Sequence, residues 1–168
     1  MPITPLHFGP GAAIHALAPR HVSFIAFCTV NVVMDVEPLA GMLTGAPRLH
    51  GFVHTYVGAT LAAGLTIALF LLARPWARRR RLFDPFEWQS LGVHAVTLGA
   101  LAGAWSHIVL DSVMHADITP WAPFGQANPL YRIVSLGALH AFCVVTGVLG
   151  LALLGVRRAL AEWRRRRG

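Results

Sequence analysis

Three polar side chains, His107, Asp111 and His115, interrupt a nearly uncharged apolar stretch at intervals of four residues. On a helix this spacing stacks two imidazoles and a carboxylate on one face. Such groups at the end of a hydrophobic segment are costly unless they meet partners, and an ionisable group at membrane depth marks a functional site by default. Imidazole and carboxylate without thiolate are the donors of Zn²⁺, Mn²⁺ or Fe sites. The chemistry expected here is metal binding.

Other residues repeat the pattern. His50 and His54 stand four apart at the head of the uncharged run 55–73, Asp35 and Glu37 end a second apolar run, and His7 precedes a third. The spacing places His50 and His54 on one side of the first turn of a helix. The expected metal ligands are His7, Asp35, His50, His54, His107 and Asp111, with Glu37 and His115 as additional candidates. A catalytic zinc needs about three protein ligands and an open position, so six or more candidates would supply two ions about 3.5 to 4 Å apart. Such a pair lowers the pKa of bound water and clamps both oxygens of a phosphoryl displacement. Asp35, Glu37 and Asp111 are the candidate catalytic groups. A phosphoester is the most natural substrate, although an amide or ester could be hydrolysed similarly. Trp121, Phe124 and Asn128, in a Pro-containing loop after the motif, are candidate substrate contacts, and the two aromatics suit interfacial anchoring equally well. His15, His21, His94 and His140 have no spaced partner and are read as ordinary core or interfacial histidines.

The elements that must position these groups are apolar. The chain has 168 residues, 55% hydrophobic and 12% charged, with a mean hydropathy of +0.58, which fits one integral membrane domain. Five membrane-embedded segments are expected, over 8–18, 22–36, 52–73, 90–114 and 133–156, followed by an Arg-rich tail, 157–168. The first two are short, at about 17 to 22 Å, against a hydrocarbon core of about 30 Å, and suit a re-entrant hairpin or a recessed site. The stretch 38–47 reads as a loop. Cys28 and Cys143 lie far apart in apolar runs and imply no disulfide. The N-terminus lacks a basic region and a small-residue cleavage site, so it reads as retained.

All fourteen cationic residues are Arg, and ten of them fall in two clusters, Arg78 to Arg81 and Arg157, Arg158 with Arg164 to Arg167. Flanking hydrophobic segments, they read as cytoplasmic anchors toward anionic lipid, and a nucleic-acid partner is not expected. With the N-terminus outside, five crossings and the C-terminus inside, every cluster is cytoplasmic and only Arg48 and Arg132 lie outside. The same arrangement brings His7, Asp35, Glu37, His50, His54, His107, Asp111 and His115 to the outward ends of their segments. Four crossings with the N-terminus inside is the second choice, because it strands His7 on the other face.

The ordered set Leu-His7-Phe-Gly, Met-Asp35-Val-Glu37-Pro, His50-Gly-Phe-Val-His54-Thr and Ser-His107-Ile-Val-Leu-Asp111 before Thr119-Pro-Trp-Ala-Pro-Phe resembles the YdjM-type inner-membrane metal-dependent hydrolases of bacteria. Glu37 stands where that pattern has a second Asp, and Met34 where it has Pro. The resemblance covers residues 7–124 and implies an all-helical fold, distantly like the zinc phospholipase C and single-strand nuclease fold, and phosphoester cleavage. No GxSxG elbow, P-loop or dinucleotide fingerprint competes. The leading expectation is an all-α membrane bundle that hydrolyses a phosphoester or lipid-linked substrate at the extracytoplasmic side. The alternative is a non-catalytic metal or proton transporter, or a haem-binding bundle using a mid-membrane pair such as His94 and His140.

Overall fold

The computed structural model describes residues 4–167, and they form five helices: α1 (Thr4–Leu17), α2 (Phe24–Thr44), α3 (Tyr56–Arg79), α4 (Val93–Met114) and α5 (Leu136–Arg167). Short 3-10 turns lie at Phe52–His54 and Pro85–Glu87, and the described residues contain no strand. Helices α2 to α5 are long and apolar enough to cross a membrane. Leu17, Leu43 and Leu72 are 71%, 80% and 75% exposed. So much outward apolar surface belongs against lipid. The chain is an integral membrane protein by this architecture.

Small residues set the packing. The buried centre of α2, α3 and α4 is built from Ala26, Val30, Met34, Ala59, Ala63, Val96, Ala100, Ala104 and Ile108. Lipid offers no hydrophobic drive between helices, so close van der Waals approach must supply the attraction. Two glycines make that approach possible. A Cβ on Gly103 of α4 would sit 2.7 Å from the Phe27 carbonyl oxygen of α2, and one on Gly9 of α1 would collide with the Cys143 carbonyl of α5.

Three boundaries differ from the sequence expectation. Helix α2 does not stop near residue 36 but continues through Asp35, Glu37 and Pro38 to Thr44, for 21 residues or about 32 Å. The expected loop at 38–47 is mostly helix, and α2 is long enough to span. A proline removes only its own N–H bond, and Gly45, at φ 68, supplies the stop that Pro38 does not. Helix α5 likewise runs on through the Arg-rich tail to Arg167. His50 and His54 do not lie on an α-helix. They occupy an irregular stretch that ends in a 3-10 turn, and α3 begins after Thr55, whose hydroxyl accepts from Gly58 N–H at 3.0 Å.

The helices run so that polar groups sort by end. His7 near the start of α1, the second half of α2, His54 before α3 and the last turns of α4 meet at one end. Arg78 to Arg81, at the end of α3, and the Arg-rich half of α5 lie at the other. His107 is fourteen residues into α4, about 21 Å from its start.

Candidate metal centre

Asp111 is the hub. It is fully buried, and four of its neighbours, His7, His50, His54 and His107, are each no more than 2% exposed. Its Oδ1 lies 3.1 Å from His7 Nε2, and its Oδ2 lies 3.2 Å from His107 Nε2 and 3.7 Å from His54 Nε2. Asp35 Oδ1 is 3.4 Å from the same His107 Nε2. Asp35, His54, His107 and Asp111 each present one donor atom within 4.8 Å of all the others, and His50, Asp111 and His115 form a second such group. Asp111 belongs to both.

These separations are informative. Tetrahedral bonds of about 2.0 to 2.1 Å to a central ion place neighbouring donor atoms about 3.4 Å apart. The observed 3.2, 3.4 and 3.7 Å edges match that figure, while the two longer ones exceed good N–H···O hydrogen bonds. The Nε2 atoms of His50, His54, His107 and His115, and both Asp111 oxygens, are buried without a satisfactory hydrogen bond. Four such imidazole nitrogens around one carboxylate, with its own two oxygens, would be a heavy penalty in a metal-free core. A divalent ion relieves it, so the residues fit the group expected from sequence.

The opposite ring nitrogens explain how the histidines are aimed. His54 donates from Nδ1 to Glu37 Oε2 at 2.9 Å, His50 from Nδ1 to Asp117 Oδ1 at 2.9 Å, and His107 from Nδ1 to Asn31 Oδ1 at 2.9 Å. Each bond fixes the tautomer that leaves Nε2 with a lone pair toward the centre. The two outer carboxylates also clamp the backbone. Glu37 accepts from Gly51 and Val53 N–H at 3.0 and 3.1 Å, and Asp117 accepts from Leu49 and His50 N–H at 3.3 and 3.2 Å. An irregular stretch, not a helical turn, can therefore hold His50 and His54 with rings 4.8 Å apart. Burial alone would raise the Asp117 carboxyl, but hydrogen bonds from the His50 ring and backbone outweigh it and hold the group below its usual range.

Seven of the eight ligand candidates named from sequence meet here: His7, Asp35, His50, His54, His107, Asp111 and His115. His115 reaches the site as the C-cap of α4 in extended backbone, not as a third rung of a helical stack, with its ring 4.4 Å from that of His50. Glu37 stands behind His54, its oxygens engaged by that ring and two amides. Asn128 caps α4, donating to the Ser112 and His115 carbonyls at 2.9 and 3.1 Å. Trp121 and Phe124 are 53% and 88% exposed on the surface, Trp121 against Tyr56. Sequence reasoning passed over Asn31 and weighed Asp117 only as a mark of the wet helix end, not as the partner of His50. Asn31 was detectable as the lone amide in the run 24–34, one turn before Asp35. A groove of about 350 Å³ opens beside His50–His54 between Arg48, Phe52, Thr119, Pro123 and Gln126.

The remaining histidines stand apart. His15 pairs through Nδ1 with the Val22 carbonyl at 2.7 Å, and His21 is exposed. His94 opens α4 and His140 lies in the first turns of α5, both exposed and at opposite ends of the bundle. They do not form a facing pair that could ligate haem. Comparison of the chain with family models, with curated proteins and with solved structures gives no match.

Proposed function

We propose that the protein is a membrane-embedded, metal-dependent hydrolase that holds two divalent ions around Asp111 and cleaves a phosphoester presented at that face of the membrane. One observation carries the reading: three imidazoles, each fixed through Nδ1 by a different partner, direct Nε2 at a buried carboxylate. Hydrogen-bonded core histidines have no need of this arrangement, whereas metal-ligating ones almost always show it.

Two donor sets sharing Asp111 support two ions: Asp35, His54, His107 and Asp111 in one, His50, His115 and Asp111 in the other, with His7 on the second Asp111 oxygen. Charge supports the same count. When ionised, Asp35, Glu37, Asp111 and Asp117 carry four negative charges, which offset two dications at membrane depth. Nitrogen and oxygen donors suit zinc, with Mn²⁺ or Fe as further candidates. Bound divalent ions supply Lewis acidity that polarises a phosphoryl oxygen and acidifies water. The chain's own part is orientation. Glu37, Asp117 and Asn31 keep the rings from turning, and Arg48 stands at the adjoining groove, where its guanidinium can receive a phosphate oxygen.

The motif order shared with YdjM-type hydrolases supports a phosphoester or lipid-linked substrate. The segregation of arginine to the opposite end supports an extracytoplasmic metal centre in a bacterial inner membrane, N-out and C-in. The test is purification without chelator, elemental analysis, and turnover of a chromogenic phosphodiester by wild type and Asp111→Asn. Bound zinc or manganese with turnover that Asp111→Asn abolishes is the expected result. A wild type that stays metal-free after supplementation would overturn the reading, and a metal-loaded protein without turnover would remove its hydrolytic half.

A further inference from the structure

Helix α1 packs along α5, and the seam between them carries two cavities that differ in chemistry. The first, of about 400 Å³, is walled only by apolar side chains and backbone, among them Phe8, Ala12, Phe24, Val144, Val148 and Leu151. The second, of about 390 Å³, is lined by Arg20, Arg157, Arg158 and Arg165 together with Phe86 and Leu154. Along α5, Val144, Leu151, Leu154, Arg158 and Arg165 recur in steps of three, four or seven, so the two cavities lie on one face of that helix. The stripe is about 32 Å long. Phe24 joins the halves: it walls the apolar cavity, and its ring meets that of Phe86 edge-on at 5.1 Å in the basic one.

The basic end is prepared for an anion. Among the described residues, none of the four guanidiniums forms an ion pair with a carboxylate, Glu87 included, although Glu87 lines the same cavity. Arg158 lies over the Phe86 ring at 5.7 Å, which leaves its N–H edge available. Phe86 and Glu87 hold φ of 60° and 54°, a left-handed turn that non-glycine residues adopt only under constraint, and it is this turn that sets the Phe86 ring against His15, Phe24 and Arg158.

We propose that this seam binds an anionic glycerophospholipid of the leaflet at the Arg-rich end, its phosphate among Arg20, Arg157, Arg158 and Arg165 and an acyl chain against Val144 to Leu151. A lone phosphate would need only the basic cavity, and a neutral apolar molecule only the other. The continuous face with one charged and one apolar half fits a molecule built the same way. Arg158 lies fifteen residues, about 23 Å, beyond Cys143, which packs near Leu110 and Val113 of α4. The headgroup is therefore remote from Asp111, and the lipid is a bound structural partner, not the substrate. The inference stands whether or not the metal centre hydrolyses anything.

Native mass spectrometry of the full chain tests it, with phosphatidylglycerol and phosphatidylcholine compared on wild type, on Arg158→Gln/Arg165→Gln, and on Arg164→Gln/Arg166→Gln, which removes equal charge outside the cavity. Circular dichroism checks that each variant is folded. Wild type is expected to retain phosphatidylglycerol over phosphatidylcholine. The cavity pair is expected to weaken retention roughly 30-fold, at roughly fivefold per arginine, and the outer pair to leave it unchanged. Equal losses from both pairs would mean diffuse electrostatic attraction and overturn the site. Soluble glycerol phosphate displacing the lipid at matched concentration would reassign the cavity to free phosphate and overturn the lipid.

Discussion

Asn31 fixes the tautomer of His107. Its Oδ1 lies 2.9 Å from His107 Nδ1, while its own Nδ2 donates to the Phe27 carbonyl one turn back at 2.7 Å, so the amide cannot turn over without losing both bonds. The Nε2 lone pair of His107 is thereby committed to Asp35 and Asp111. Replacing Asn31 with Leu keeps an apolar core but frees the ring. Metal affinity is expected to fall about 10- to 100-fold, and Asn31→Asp, which keeps an acceptor, to retain most of it. Competition with a chromophoric chelator measures both, and equal affinity in Asn31→Leu and wild type would contradict the role.

Asp111→Asn preserves shape and removes the charge shared by both donor sets. It is expected to lose metal from both, while His94→Ala and His140→Ala, at exposed positions outside both donor groups, keep the wild-type content. Elemental analysis of the purified variants distinguishes this from a hydrogen-bonding role, in which Asn would serve almost as well.

The two donor sets make separable claims. His115→Ala touches only the group with His50, and Asp35→Ala only the group with His54 and His107. On the two-ion reading, each single variant is expected to lower the stoichiometry from about two ions to about one. A wild type that saturates at one ion would reduce the centre to a single site.

Helix α1 delivers His7 only if it can lie against α5. A side chain at Gly9 would strike the Cys143 carbonyl, whereas one at Gly137 would meet nothing within 4 Å. Gly9→Val is expected to destabilise the protein by about 1 to 3 kcal/mol and to weaken metal retention without touching a ligand; Gly137→Val should do neither. Thermal denaturation in detergent with parallel metal analysis checks the pair.

Metal retention has a definite sign against pH. The histidines must be neutral to ligate, so protons compete with the ion, and retention is full above the imidazole range and lost as pH falls through it. Equilibrium dialysis from about pH 8 to about pH 5 should show release on the acid side, with a proton taken up for each imidazole vacated. Loss on the alkaline side instead would count against histidine ligation.

The residue types and their order determined much of this by themselves. Long uncharged runs closed by arginine leave membrane-spanning helices as the economical solution, because backbone polar groups in lipid must be satisfied within the segment. His107 and Asp111, four apart in a regular helix, were legible because helical geometry alone puts them on one face. His50 and His54 reach the same neighbourhood by a route that local spacing does not encode. Their backbone is irregular and depends on carboxylates from α2 and from beyond α4, 14 to 17 and 67 to 68 residues away. Only the tertiary structure could place Glu37 and Asp117 behind imidazoles and Asn31 behind His107, since a carboxylate that binds an ion and one that aims a ring look alike in sequence. The length of α2 was hidden for a similar reason. Pro38 is a stop signal locally, and the packed bundle overrode it until Gly45 supplied the left-handed cap.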